Sequence, residues 1–301
     1  MGQIKKILVY RRELAQHHRD VPKNSPWLFS QTCYDPKGNI TDQATYADTG
    51  EIIERIIKEC DTAGFVSNEK YYTGDEELSE EKSYERNENG LIITEYRHFA
   101  DGSLDTTRYT YDNRYRIVEK LTTNDEGEVE QREQLSYRDD FLMEHIITDG
   151  DGNLLRSEKF EYDEAGNSII HRIYDGHRDE LRIKETDYNP SGRKATERIY
   201  DKDENLLERT TYEESEDGRL SSMIEETSRG KRISKYTYDT AGNTIIQEEF
   251  NDQEEQVVLV EREYNENGDP IRSTVFIDGE GRMLSQRYEV VFEYEFYPSD
   301  Q

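Results

Sequence analysis

Short runs of strand-forming residues recur along this chain, each closed by a turn-forming string. The clearest stretch is Tyr162-Asp163-Glu164-Ala165-Gly166-Asn167, followed by the apolar pair Ile169-Ile170. Tyr-Asp-x-x-Gly-Asn also stands at 34–39 and at 238–243, the latter followed by Ile245-Ile246. Asp opens a β-turn because its carboxylate bonds backbone N–H groups two residues on. Gly at the fourth turn position supplies the left-handed residue that closes a type I turn into a bulged hairpin. The unit is therefore strand, tight turn, strand.

The spacing is regular. The main turns fall at Gly38, Gly64, Gly90, Tyr115, Asp140, Gly166, Gly192, Gly218, Gly242 and Gly268, with Tyr115 and Asp140 standing in for Gly. A second series lies between them, at Gly50, Glu76, Gly102, Gly127, Gly152, Asp179, Glu204, Gly230, Glu254 and Gly281. A fixed period in this range marks a repeat protein. The pattern predicts an all-β, antiparallel hairpin array of about ten units of about 26 residues, with about 20 strands.

Alternation within the strands is patchy. After Gly38 one face reads Ile40, Asp42, Ala44, Tyr46 and the other Asn39, Thr41, Gln43, Thr45; residues 193–200 are charged on both faces. A two-layer sandwich requires apolar-in, polar-out alternation. The expectation is a single-layer sheet wetted on much of both faces, held by cross-strand Tyr, Thr and Glu–Lys/Arg pairs of about 0.2–1 kcal/mol each. Strand twist of roughly 20° per strand then predicts a curled or spiralling open ribbon.

The ends depart from the repeat, which divides the chain into residues 1–30, 31–284 and 285–301. Residues 1–30 carry Lys5, Lys6, Arg11, Arg12, Arg19 and Lys23 against Glu13 and Asp20. Ile4, Ile7, Leu8 and Leu14 fit a short amphipathic helix, while Ile7–Tyr10 also fits a strand. The first segment reads as an N-terminal cap, with a basic docking peptide as the alternative. The C-terminal stretch has the cleanest alternation, with Tyr288, Val290, Phe292, Tyr294 and Phe296 on one face and Glu289, Glu293 and Glu295 on the other. It reads as a capping strand, or as an edge kept for a partner.

Composition sharpens the functional classes. Of 301 residues, 32% are hydrophobic and 36% charged, the net charge is −29, and there are 22 Tyr. Such acidity opposes nucleic-acid binding. No run approaches a membrane helix, and Ile-Leu-Val-Tyr is too short for a secretory signal core; the expected location is the cytoplasm. Cys33 and Cys60 read as free thiols that stack one repeat apart. Asp149-Gly-Asp151-Gly-Asn153 and Asp201-Lys-Asp203-Glu-Asn205 begin like calcium loops but have Phe160 and Tyr212 where the bidentate Glu belongs. Both read as turns. The six His (17, 18, 98, 145, 171, 177) are scattered. No catalytic, cofactor-binding or metal-binding residues are assigned, and no cofactor is expected.

Tyr-Asp-x-x-Gly-Asn at 34–39, 162–167 and 238–243 resembles the YD repeats of bacterial Rhs-type proteins and is similar to MORN-like antitoxin hairpin repeats. Rhs-type proteins build a large β-shell that encloses a toxin. This chain departs from them in its longer unit and its modest length. The resemblance therefore implies a bacterial, non-catalytic β-repeat rather than a capsule. It transfers no functional residues, because the matching positions are turn residues. The leading expectation is a protein–protein interaction scaffold. The alternatives are an acidic immunity-type inhibitor of a basic toxin and a carbohydrate-binding module.

Overall fold

In the computed structural model, which describes residues 3–14, 25–74, 76–279 and 285–298, the chain forms one 22-stranded antiparallel sheet. Its strands, β1 (Ile4–Glu13) through β22 (Gln286–Phe296), are 7–11 residues long. The turn is built as the sequence implies. Asp163 Oδ1 accepts the N–H groups of Ala165 (2.9 Å) and Asn167 (2.8 Å), and Asn167 Nδ2 donates back to Asp163 Oδ2 (2.9 Å). Gly166 takes φ 86°. At the turns without glycine, Glu76, Tyr115, Asp179, Glu204 and Glu254 themselves adopt φ of 51–63°. Asp140 is displaced by its neighbour: Arg138 pairs with Phe141 across a two-residue turn, and Asp139 is left-handed instead.

The expected open, curled or spiralling ribbon is wrong: the sheet is a closed barrel. β1 pairs with β2 (Trp27–Tyr34) on one edge and with β22 on the other, placing Ile7 opposite both Thr32 and Tyr294. Ile4–Glu13 of the basic N-terminal stretch is thus the closing strand, the strand alternative rather than the amphipathic helix. Its chemistry matches β22: Lys6 lies opposite Glu295, Leu8 opposite Glu293, Val9 opposite Phe292, and Arg12 forms a 2.6 Å ion pair with Glu289. The edge of β22 is occupied by β1 and is not left for a partner.

The registers advance by about one residue per strand around the ring, a shear of about 22. A shear equal to the strand number tilts the strands by about 36°. With a strand spacing of about 4.8 Å the barrel is roughly 40 Å across and about 20–25 Å tall.

Each strand shows two faces of unequal exposure. In β10 (Val129–Arg138), Gln131, Glu133, Leu135 and Tyr137 are half-buried while Arg132, Gln134, Ser136 and Arg138 are exposed. On a cylinder, side chains converge on the concave wall and splay on the convex one. The half-buried set therefore lines the lumen. Register carries this assignment around the ring: Lys120, Glu133, Ile147, Arg156 and Asp175 form one lumenal row.

There is almost no core. Ala44 and Val257 are the buried hydrophobic residues among those described. The main-turn rim is instead tied by tyrosines. Tyr111, Tyr137, Tyr162, Tyr188, Tyr238 and Tyr264 each donate their hydroxyl to a backbone carbonyl in the preceding unit, at 2.7–3.0 Å. Tyr294 continues the ladder to the Pro270 carbonyl, and Tyr297 closes it on Tyr34 (2.6 Å). Arg86 takes a tyrosine position and donates to the Val66 carbonyl instead. Cys60 also takes one, without such a bond.

Two substitutions probe this ladder with opposite signs. Tyr162→Phe keeps the ring and loses the bond, and is expected to lower unfolding free energy by about 0.5–1.5 kcal/mol. Cys60→Tyr restores the repeat's hydroxyl and is expected to raise it by a similar amount. Urea denaturation midpoints at constant m-value read both.

Candidate interaction surfaces

The lumenal wall carries a belt of polar contacts at intervals of 12–13 residues, half the repeat. Glu133 accepts from Lys120 (3.2 Å) and His145 (3.1 Å). Glu158 binds His171 (2.8 Å), whose ring stacks on Phe160 with centroids 4.2 Å apart. Glu197 meets Lys184 (3.3 Å), Lys194 (2.9 Å) and the Tyr212 hydroxyl. Towards the N-terminus, Glu95 accepts from Tyr109 (2.8 Å) and Glu69 from Tyr84 (3.3 Å). The carboxylates of Glu133, Glu158 and Glu197 are only 14–17% exposed, yet each has cationic partners. Such charge-assisted bonds contribute more than neutral ones.

The sequence left the histidines scattered. The fold places His145 and His171 in equivalent places two strands apart, each on a glutamate. The regular interval 133, 145, 158, 171, 184, 197 was the readable signal, but assigning these residues to one wall requires the register. His17 and His18 lie outside the described residues.

The outer wall is also charged at mid-strand, with Arg55–Asp42 at 2.7 Å, Lys159–Glu144 at 3.0 Å and Arg198–Asp187 at 2.8 Å. These groups are more exposed, so such pairs contribute little individually.

The two rims differ from both walls. Asp35, Asp149, Asp163, Asp201 and Asp239 sit below the usual carboxylate pKa, because the Asn four residues on and nearby N–H groups bond the charged form. The two calcium-like strings are such turns: Asp149 Oδ1 accepts from Asp151 (3.1 Å) and Asn153 (2.8 Å), and Asp201 Oδ1 accepts from Asp203 and Asn205 (both 2.9 Å). The turns at 124–128 and 251–255 each carry three carboxylates and no cation. Cys33 and Cys60 are free thiols, both pushed up in pKa by burial. They do not stack. Cys33 faces Asp42, which in turn faces Ile57, so the thiols are out of register.

No family model and no curated protein matches this chain. Solved structures do, weakly. The crystal structure of TcdB2-TccC3 matches at 11% identity and TM-score 0.40 over 96% of this chain and 20% of that one. TcdB2-TccC3 without the hypervariable C-terminal region matches at 10% identity and TM-score 0.24, over 91% and 23%. A porin-like protein from Bacteroides uniformis ATCC 8492 matches at 12% identity and TM-score 0.34, over 97% and 98%. The chain thus spans about a fifth of the TcdB2-TccC3 chain it resembles.

The lumenal belt sets a pH dependence. Burial alone would raise the pKa of Glu197, but hydrogen bonds from Tyr212 and Lys194 and the charge of Lys184 outweigh it and bring it down to about 2. Glu158 and Glu80 are lowered in the same way, against burial, by Arg156 with His171 and by Arg97 with Lys82. A carboxylate of unfolded pKa about 4.3 that is lowered on folding stabilises the protein above that value. The contribution is lost as pH falls towards the folded pKa. Glu197→Gln is therefore expected to be destabilising at pH 7, with the gap to the parent closing between about pH 4 and pH 2. Denaturation midpoints measured across that range check the sign.

Proposed function

We propose that the protein is a non-catalytic scaffold that binds a basic protein partner through its acidic rims. The observation that carries this reading is the distribution of charge. On the lumenal wall, carboxylates and cations neutralise one another across strands, whereas turns such as 124–128 and 251–255 present carboxylates alone. A surface of one sign steers an oppositely charged partner and sets its orientation. The same net charge of −29 disfavours nucleic acid.

Lipid is an unsuitable environment for this outer wall. Arg55, Lys159 and Arg209 lie within outward-facing strands, and a cation at the midplane of a bilayer costs about 2–4 kcal/mol. A soluble, cytoplasmic scaffold fits these features. The ladder tyrosines have their hydroxyls committed to backbone carbonyls, which argues against a sugar-binding tyrosine platform at that rim. An immunity-type inhibitor of a basic toxin is the second reading, favoured by the same rim charge.

Affinity capture of the full-length protein from its native cells, eluted at low and then high salt, tests the proposal. The expected result is one or a few basic proteins released as salt rises. A single small toxin neutralised by the protein in an activity assay would select the immunity reading. Partners that are acidic, or that are retained regardless of salt, would sink both.

A further inference from the structure

The rim formed by the second turn series carries an apolar feature that neither the barrel wall nor the rim charge explains. Near these turns the outer wall carries cross-strand pairs with an apolar member in the hairpins from β3 to β16, although at 175–180 the last pair, Asp175–Glu180, is itself lumenal. Four of the hairpins place there Tyr46 opposite Ile52, Tyr72 opposite Leu78, Thr148 opposite Leu154 and Tyr200 opposite Leu206. His98–Leu104, Thr123–Val129 and Tyr174–Leu181 fill the intervening hairpins. The arc is therefore continuous from β3 (Ile40–Tyr46) to β16 (Leu206–Glu214), more than half the circumference. Leu78, Val129, Leu154 and Leu206 are 36–45% exposed, as are the neighbouring bulge residues Ile53 (47%) and Leu207 (37%). At the opposite rim the equivalent pairs, such as Tyr162–Ser168, turn into the lumen. The main-turn rim also exposes Phe65, Ile93, Phe141 and Ile271, but only at the second rim do the exposed apolar residues follow one another from hairpin to hairpin along the outer wall, as an interaction surface does.

We infer that this arc is the seat of the basic partner, which lays an apolar ridge on the tyrosine–leucine pairs while its Lys and Arg side chains reach over the edge to the turn carboxylates. Charge selects this occupant. Glu51, Glu76, Asp101, Glu126, Asp151 and Glu204 stand in the turns directly above the arc. A second copy docking edge to edge would oppose these carboxylates with its own, at a penalty of several kcal/mol. Anionic lipid headgroups would meet the same repulsion. A basic amphipathic segment satisfies both the band and the carboxylates. The inference rests on the acidic-scaffold reading and adds the location and the apolar half of the partner's surface.

The test uses the full-length protein and two synthetic peptides of equal length and charge, an amphipathic Leu/Lys sequence and a Ser/Lys sequence. Salt-sensitive binding of the Ser/Lys peptide reports the acidic reading alone. The ratio of the two affinities reports the arc. Roughly tenfold tighter binding of the Leu/Lys peptide is expected, because partial burial of a few leucines is worth that much. The triple variant Leu78→Gln/Leu154→Gln/Leu206→Gln, checked for an unchanged thermal melt, is expected to bring the ratio below about threefold and to leave Ser/Lys binding unaltered. Ile93→Gln/Ile271→Gln on the other rim is the control and should preserve the ratio. A ratio unchanged in the triple variant overturns the inference while leaving the acidic reading intact. So does a ratio that falls in the control, binding of phosphatidylcholine vesicles abolished by the triple variant, or a dimer in sedimentation that the triple variant dissociates. Loss of Ser/Lys binding by the parent protein removes the acidic reading itself.

Discussion

A sheet with almost no buried apolar side chains depends on its hydrogen-bond ladder, and a ladder with two free edges is both weak and prone to pair with other chains. The double pairing of β1 removes both edges at once. Everything else in the molecule assumes that closure. The lumenal row is continuous because the first and last strands meet in register, and the tyrosine ladder runs on through Tyr294 and Tyr297 to Tyr34. The seam also gathers apolar lumenal residues, with Val9, Phe292, Val290, Tyr288 and Val275 adjacent across three strands. At the seam the chain supplies hydrophobic contact as well as an ion pair between strands that lie at opposite ends of the sequence.

How much of this was legible follows from where the information lies. Turns are local, so their positions could be placed by period alone. Glu76, Asp179, Glu204 and Glu254 stand where glycine is missing, and all four hold a left-handed backbone. The slip at Asp140 has a local cause too, a hairpin shortened to two residues. Closure was not legible, because Arg12 and Glu289 are 277 residues apart and nothing in the repeat announces their pairing. The tyrosine hydroxyls were missed for a different reason. Their acceptors are backbone carbonyls 18–20 residues upstream, in the six ladder units, which leave no side-chain signature. The glutamate–histidine belt was written in the sequence as an interval of half a repeat, but which wall it occupies depends on the register of every hairpin between its members.

Charge is partitioned by geometry rather than by sequence region. On the concave wall side chains converge, and opposite charges there are drawn into contact. At the rims many carboxylates bond their own turns, which fixes their charge, and only some, such as Asp112 with Arg116 and Asp217 with Arg219, are paired with a cation. On the convex wall the pairs are solvent-exposed. One acidic chain therefore presents a balanced interior, a mixed exterior and negative ends. The identical turn design also has opposite outcomes at the two ends. The residue before the turn points inward at one rim and outward at the other, because the strand that delivers it runs in the opposite direction.

The even shear has a consequence for how such molecules can vary. Each unit contributes two strands and about two residues of shear, so the ratio of shear to strand number, and with it the tilt, is independent of how many units are present. Duplication or loss of one unit changes the circumference by about 12 Å and the diameter by about 4 Å, without disturbing the geometry of any remaining hairpin. The bore is thus a quantity that gene-level copy number can tune in small, equal steps, with the two terminal strands serving as a fastener indifferent to the length of what they join.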